Sequence, residues 1–67
     1  MKVHFIGIGG IGLSALARFL KNDGHEISGS DIKSSPITKE LINEGIKVVC
    51  PQSADNISDD LDIVVYS

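Results

Sequence analysis

The 67 residues change their hydrophobic period several times along the chain. Val3 to Ile6 is a near-continuous apolar run broken only by His4, the pattern of a parallel strand covered on both faces. From Ile11 to Asp23 the period becomes helical. Leu13, Leu16, Ala17 and Leu20 recur on one side, and Ile11, Ala15 and Phe19 widen the stripe. Arg18 and Lys21 fall on the side predicted to face solvent, near the end where cations suit the helix dipole. Asn22-Asp23-Gly24 ends the helix, with Gly24 suited to the left-handed position after it.

His25 to Ser30 reads as a second, shorter strand centred on Ile27, with Gly29 admitting a close neighbour. Lys33-Ser34-Ser35-Pro36 is a polar loop, and Ser35 as N-cap with Pro36 at the first helical position starts a second helix. Ile37, Leu41 and Ile42 give that helix a narrow apolar face, and Gly45 stops it. Ile46 to Cys50 is a third strand. Pro51 to Asp60 is a polar connection with one helical turn near Ser53 to Ile57, and Leu61 to Tyr66 is a fourth strand. The alternation predicts an α/β fold, a Rossmann-like parallel sheet with a βαβαβ start. Right-handed crossovers put the strand ends on one edge, with the glycine cluster that follows the first strand beside Asp31.

That cluster carries the candidate chemistry. Gly7-Ile8-Gly9-Gly10-Ile11-Gly12 satisfies G-x-G-x-x-G between a strand and a helix, with Asp31 nineteen residues past Gly12. Gly7 permits the tight turn, Gly9 lets a phosphate approach the backbone, and Gly12 lets the helix pack closely on the strand. Amides around Gly10 to Leu13 point at the anion, and the helix dipole adds about 0.3–1 kcal/mol. Asp31 accepts hydrogen bonds from the bound nucleoside. The turn fits a nicotinamide dinucleotide, NAD(P), of an oxidoreductase as well as another nucleoside diphosphate. A non-catalytic interaction segment is a third reading.

Composition narrows the setting. Net charge is −3 with six scattered basic residues, no footprint for nucleic acid. No apolar run approaches the roughly 20 residues that span a bilayer, and the start does not resemble a secretory leader. A cytoplasmic protein without membrane contact is expected. Cys50 is the only cysteine, so no internal disulfide forms, and no metal site is expected. Asp55, Asp59 and Asp60 read as a solvated face, and His4 as a hydrogen-bonded strand histidine. No nucleophile–base set appears, so catalytic residues are expected elsewhere. A chain this short has a marginal core, which suggests a piece of a longer protein.

Longer stretches carry a resemblance. H-F-I-G-I-G-G-I-G-L-S-A-L-A (His4 to Ala17), I-S-G-S-D (Ile27 to Asp31), P-x-T-x-x-L (Pro36 to Leu41), L-x-x-x-G-I (Leu41 to Ile46), S-A-D-N-I (Ser53 to Ile57) and V-V-Y-S (Val64 to Ser67) follow in order. Together they resemble the N-terminal domain of the Mur ligases of peptidoglycan synthesis, in the form that adds L-alanine to UDP-N-acetylmuramate. The resemblance implies that residues 1–67 are an incomplete Rossmann-like domain that binds UDP-N-acetylmuramate in place of a dinucleotide. It implies diphosphate contacts from Gly7, Gly9, Gly10, Ile11, Gly12, Leu13, Ser14 and Ser67, and uridine contacts from Ser30 and Asp31. It places ATP and Mg²⁺ in a further domain, where the substrate carboxylate becomes an acyl phosphate that L-alanine attacks. By itself this segment should not catalyse ligation. Two positions depart from the pattern: Gln52 stands where histidine is usual, and Leu13 replaces a frequent methionine.

Overall fold

The computed structural model describes residues 1–50 and 59–67. Strand β1 (Lys2–Ile6) leads through the glycine turn into α1 (Ile11–Asn22), then β2 (Glu26–Ser30), α2 (Pro36–Asn43), β3 (Lys47–Val49) and β4 (Ile63–Val65). The four predicted strands and both predicted helices are present, each strand after the first and the first helix slightly shorter than expected. The helical turn expected at Ser53 to Ile57, Gln52 and Asp55 lie outside the described residues.

Local chemistry sets the ends. Gly24 and Gly45 take φ of +95° and +93° after the two helices, a region costly for side chains with a β-carbon. Ser35 caps α2 by accepting the Thr38 N–H, while the Thr38 hydroxyl accepts the Ser35 N–H at 2.8 Å, a reciprocal capping box.

All strand pairs are parallel, in the order β3-β2-β1-β4. The chain moves outward from β1 to β3 and then returns to the far side of β1. The order therefore reverses between β1 and β4, at the kind of point where open α/β sheets bind ligands beyond their strand ends. The return is tied down at its start. Asp62 accepts the Lys2 N–H at 2.7 Å and donates its own N–H to the Lys2 carbonyl at 2.9 Å, and the Lys2 ammonium pairs with Asp60. Asp60 is thus half of an ion pair rather than only a solvated acid.

Val3, Phe5 and Ile27 share one sheet face and pack with Ile8, Ala17, Leu41 and Ile46 in a single core. The expected stripe of α1 is only partly buried. Its fully buried positions are the small Ser14 and Ala17, flanked by Leu13 and Leu20, while Ile11 and Phe19 are 82% and 66% exposed. Small side chains on the contact line let the helix axis approach the sheet. Arg18 lies on the solvent side as expected, and there makes an exposed two-pronged pair with Glu44 at the end of α2, its Nη2 at 2.9 Å from Oε2.

The opposite sheet face is mixed, with Ile6, Val49 and Val64 on it beside a polar strip that the apolar run of the first strand did not suggest. His4 stands beside Ser28 and Ser28 beside Lys47 in register. His4 is 2% exposed, with Nδ1 2.9 Å from Ser28 Oγ and Nε2 3.3 Å from Ser30 Oγ. Burial pushes the imidazole below its ordinary pKa. A cavity of about 240 Å³ on this face is bordered by Lys2, His4, Glu26, Lys47 and Asp60.

Candidate functional site

The glycine turn is built from its backbone amides. Gly7, at φ +82°, reverses the chain directly after β1. Its N–H and that of Ile8 both donate to the Ser30 carbonyl at the end of β2, at 2.8 and 3.1 Å. The Gly9 N–H donates to Asp31 Oδ2 at 2.7 Å, and the Gly10 N–H closes the turn on the Gly7 carbonyl at 3.0 Å. The Ser14 N–H donates to the Gly10 carbonyl at 2.8 Å and begins the helical ladder. The amides of Ile11, Gly12 and Leu13 are thereby left without a protein acceptor among the described residues. Gly10 caps the helix without a side chain, and no acid occupies its first turn. Three unsatisfied donors at the positive end of a 12-residue helix form an arrangement suited to an anion.

The glycines do not all serve the purposes expected of them. A β-carbon on Gly9 would lie 2.6 Å from Asp31 Oδ2 and 3.0 Å from Thr38 Cγ2. The crowding at Gly9 therefore comes from the protein itself. A β-carbon on Gly12 would meet nothing within 4 Å, so Gly12 is not needed for close packing of α1 on the sheet. It opens onto free space beside the unsatisfied amides.

Beyond the strand ends lies an open cleft of about 470 Å³ lined by Ile6, Gly7, Asp31, Ile32, Tyr66 and Ser67. The ends of β1, β2 and β4 thus bring together Gly7, Asp31 and Ser67, which are far apart in sequence. Gly9, Gly10, Ile11, Gly12 and Leu13 follow Gly7 in the turn and first helical residues. Two other residues of the expected set stand behind this surface. Ser14 is buried and its hydroxyl donates to the Ile11 carbonyl at 3.0 Å. Ser30 is buried with its hydroxyl toward His4. Ile32, Tyr66 and Thr38 were not singled out by sequence reasoning. Thr38 is the fixed threonine of the P-x-T-x-x-L stretch, and its three-residue spacing from Ser35 is a further signal, that of a capping box. Among the described residues, no helix is long and apolar enough to cross a membrane.

Comparison with known proteins gives a consistent set of relatives. The model of the Mur ligase family, catalytic domain, matches residues 2–67. The chain is 65% identical over 66 residues to the UDP-N-acetylmuramate–L-alanine ligase of Campylobacter jejuni, covering 98% of this chain and 15% of that protein. It is 55% identical over 67 residues to the ligase of the same description from Lachnospira eligens, covering 100% of this chain and again 15% of the relative. Among solved structures it is similar to the UDP-N-acetylmuramate–alanine ligase of Thermotoga maritima. The TM-score is 0.93 at 44% identity, over 98% of this chain and 15% of that one. The chain thus spans about a seventh of the length of the proteins it matches.

Proposed function

The chain belongs to the Mur ligase family, and on that premise we propose that residues 1–67 open the domain that holds UDP-N-acetylmuramate in a ligase adding L-alanine to it. That reaction serves peptidoglycan synthesis and consumes ATP in the cytoplasm. The observation that carries the proposal is the run of three unsatisfied amides, Ile11 to Leu13, at the end of the turn that starts at Gly7, a residue lining the same cleft as Asp31 and Ser67. It occurs in a chain 65% identical to an alanine-adding ligase.

In this reading the diphosphate lies over Gly7, Gly9, Gly10, Ile11, Gly12, Leu13 and Ser14, and Ser67 approaches it from the end of β4. The open side of Gly12 is where the phosphate oxygens come closest to the backbone. Asp31 and Ser30 form the uridine side, with the exposed Ile32 and Tyr66 offering apolar surface to the base. Ser14 and Ser30 have their hydroxyls committed within the protein, and the Ser14 N–H and the Ser30 carbonyl are committed too, so each hydroxyl reaches the ligand only by releasing its partner.

ATP and Mg²⁺ do not fit the donor set here. No lysine follows the glycine turn in the manner of a P-loop, and among the described residues no three His, Cys, Asp or Glu side chains group together. We assign both, with L-alanine and the bond-forming step, to the part of the ligase outside this chain. A nicotinamide dinucleotide on the same turn finds no support among the similar proteins.

Calorimetry on the full-length ligase with UDP-N-acetylmuramate, UDP and NAD tests the assignment. Binding of the two uridine compounds and none of NAD is expected. A response to NAD alone would overturn it.

A further inference from the structure

We infer that Asp31 is the positioning residue of the glycine turn: its carboxylate sets which backbone amides are offered to a diphosphate. The inference rests on the diphosphate reading above and goes beyond a contact with the nucleoside.

Two consecutive residues at the end of β2 hold three consecutive amides of the turn. The Ser30 carbonyl takes the N–H groups of Gly7 and Ile8, and the Asp31 carboxylate takes that of Gly9. The second carboxylate oxygen accepts the Ile32 N–H at 2.7 Å, and the Asp31 N–H donates to the Val49 carbonyl at 3.1 Å. The side chain is therefore fixed at both oxygens and its backbone is tied to β3. A hydrogen bond to an ionised acceptor is stronger than a neutral one, so the grip on Gly9 is firm. With the amides of residues 7 to 10 all committed inside the turn, the amides left over are those of Ile11, Gly12 and Leu13.

Gly9 fits the same account. The space its missing β-carbon leaves is filled by Asp31 Oδ2 and the Thr38 methyl. Glycine at this position admits the carboxylate from below, and the anion approaches from the side of Gly12, where a β-carbon would meet nothing. A carboxylate near an anion site weakens anion binding by direct repulsion. Its place here makes sense if the geometry it imposes outweighs that repulsion.

Three roles for Asp31 give three different signs in one measurement. The ratio of UDP to UMP affinity isolates the second phosphate, because contacts to the nucleoside cancel. It is to be measured on the full-length ligase with Asp31→Ala and with Asp31→Asn, which keeps one acceptor oxygen. Loss of a positioning carboxylate lowers the ratio by about tenfold or more in Asp31→Ala, with Asp31→Asn between it and the parent. A pure uridine contact lowers both affinities and leaves the ratio unchanged. Relief of repulsion raises it. Either of the last two results overturns the inference.

Hydrogen exchange of the turn peptide in the ligand-free protein separates this outcome from failure of the functional reading. Faster exchange in both variants is expected, and unchanged exchange in folded variants overturns the positioning role. If the parent protein binds neither UDP nor UMP, the diphosphate reading falls, and the exchange rates alone decide whether Asp31 holds the turn.

Discussion

Ile8 occupies the space above Gly29: a β-carbon built on Gly29 would lie 2.8 Å from Ile8 Cβ. Ile8 belongs to the glycine turn and Gly29 to the last part of β2, so this contact seats the turn on the sheet. Ile8 is fully buried, and its neighbour Gly7 lines the cleft. The contact thereby links core packing to the position of the site.

Gly29→Ala is expected to destabilise the domain by about 1–3 kcal/mol, as overpacking does. Ile8→Val should not rescue it, because the clash reaches Ile8 Cβ itself. Thermal melts of the single and double variants of the full-length ligase check this; recovery of the parent melting temperature in the double variant would contradict it.

Gly9→Ala and Gly12→Ala should separate stability from binding. At Gly9 the added methyl meets Asp31 and Thr38, so stability and UDP affinity both fall. At Gly12 it meets no protein atom, and replacing a helical glycine by alanine stabilises by about 0.5–1 kcal/mol. The same methyl stands where the diphosphate is proposed to approach, so UDP affinity is expected to fall while the melting temperature holds or rises. A Gly12→Ala protein that binds UDP as well as the parent would place the anion elsewhere.

His4 gives the domain a pH dependence of defined sign. Burial lowers its pKa in the folded state below the ordinary value of about 6.5. Above that value both folded and unfolded forms are neutral, and the domain has its full stability. As pH falls below about 6.5 the unfolded chain takes up a proton that the folded chain resists, and stability drops by at most about 1.4 kcal/mol per pH unit. The decline levels off below the folded pKa. His4→Asn should remove this part of the acid sensitivity, read as a shallower fall of melting temperature between about pH 7 and about pH 5, the titration range of histidine. An identical fall in parent and variant would exclude His4 as its source.

Ser35→Ala should cost about 1 kcal/mol by removing the cap of α2. The effect should reach the site, because the capping partner Thr38 lies beneath Gly9. Weaker UDP binding together with the lower melting temperature is expected, and Ser35→Asp, which keeps an acceptor at the cap, should restore both. A loss of stability with unchanged UDP affinity would detach the cap from the site.

Much of this architecture is written in short stretches of sequence. The strand run at Val3 to Ile6, the glycine turn, the stops at Gly24 and Gly45 and the Ser35-Pro36 start all depend on local backbone preferences, and they stand where the sequence puts them. Asp31 at the end of β2 was legible too, because parallel crossovers bring strand ends to one edge. Tertiary structure alone decided what each of these residues faces. It placed β4 against β1 and so made a cleft of Gly7, Asp31 and Ser67. It crowded Gly9 with Asp31 and Thr38 while leaving Gly12 open, the reverse of what the glycine spacing suggested. It chose Ser14 and Ala17 over Ile11 and Phe19 as the buried line of α1. Periodicity reports which positions share a side of an element. Which neighbour fills the space on that side is settled by contacts between residues distant in sequence, and the site is made of those contacts.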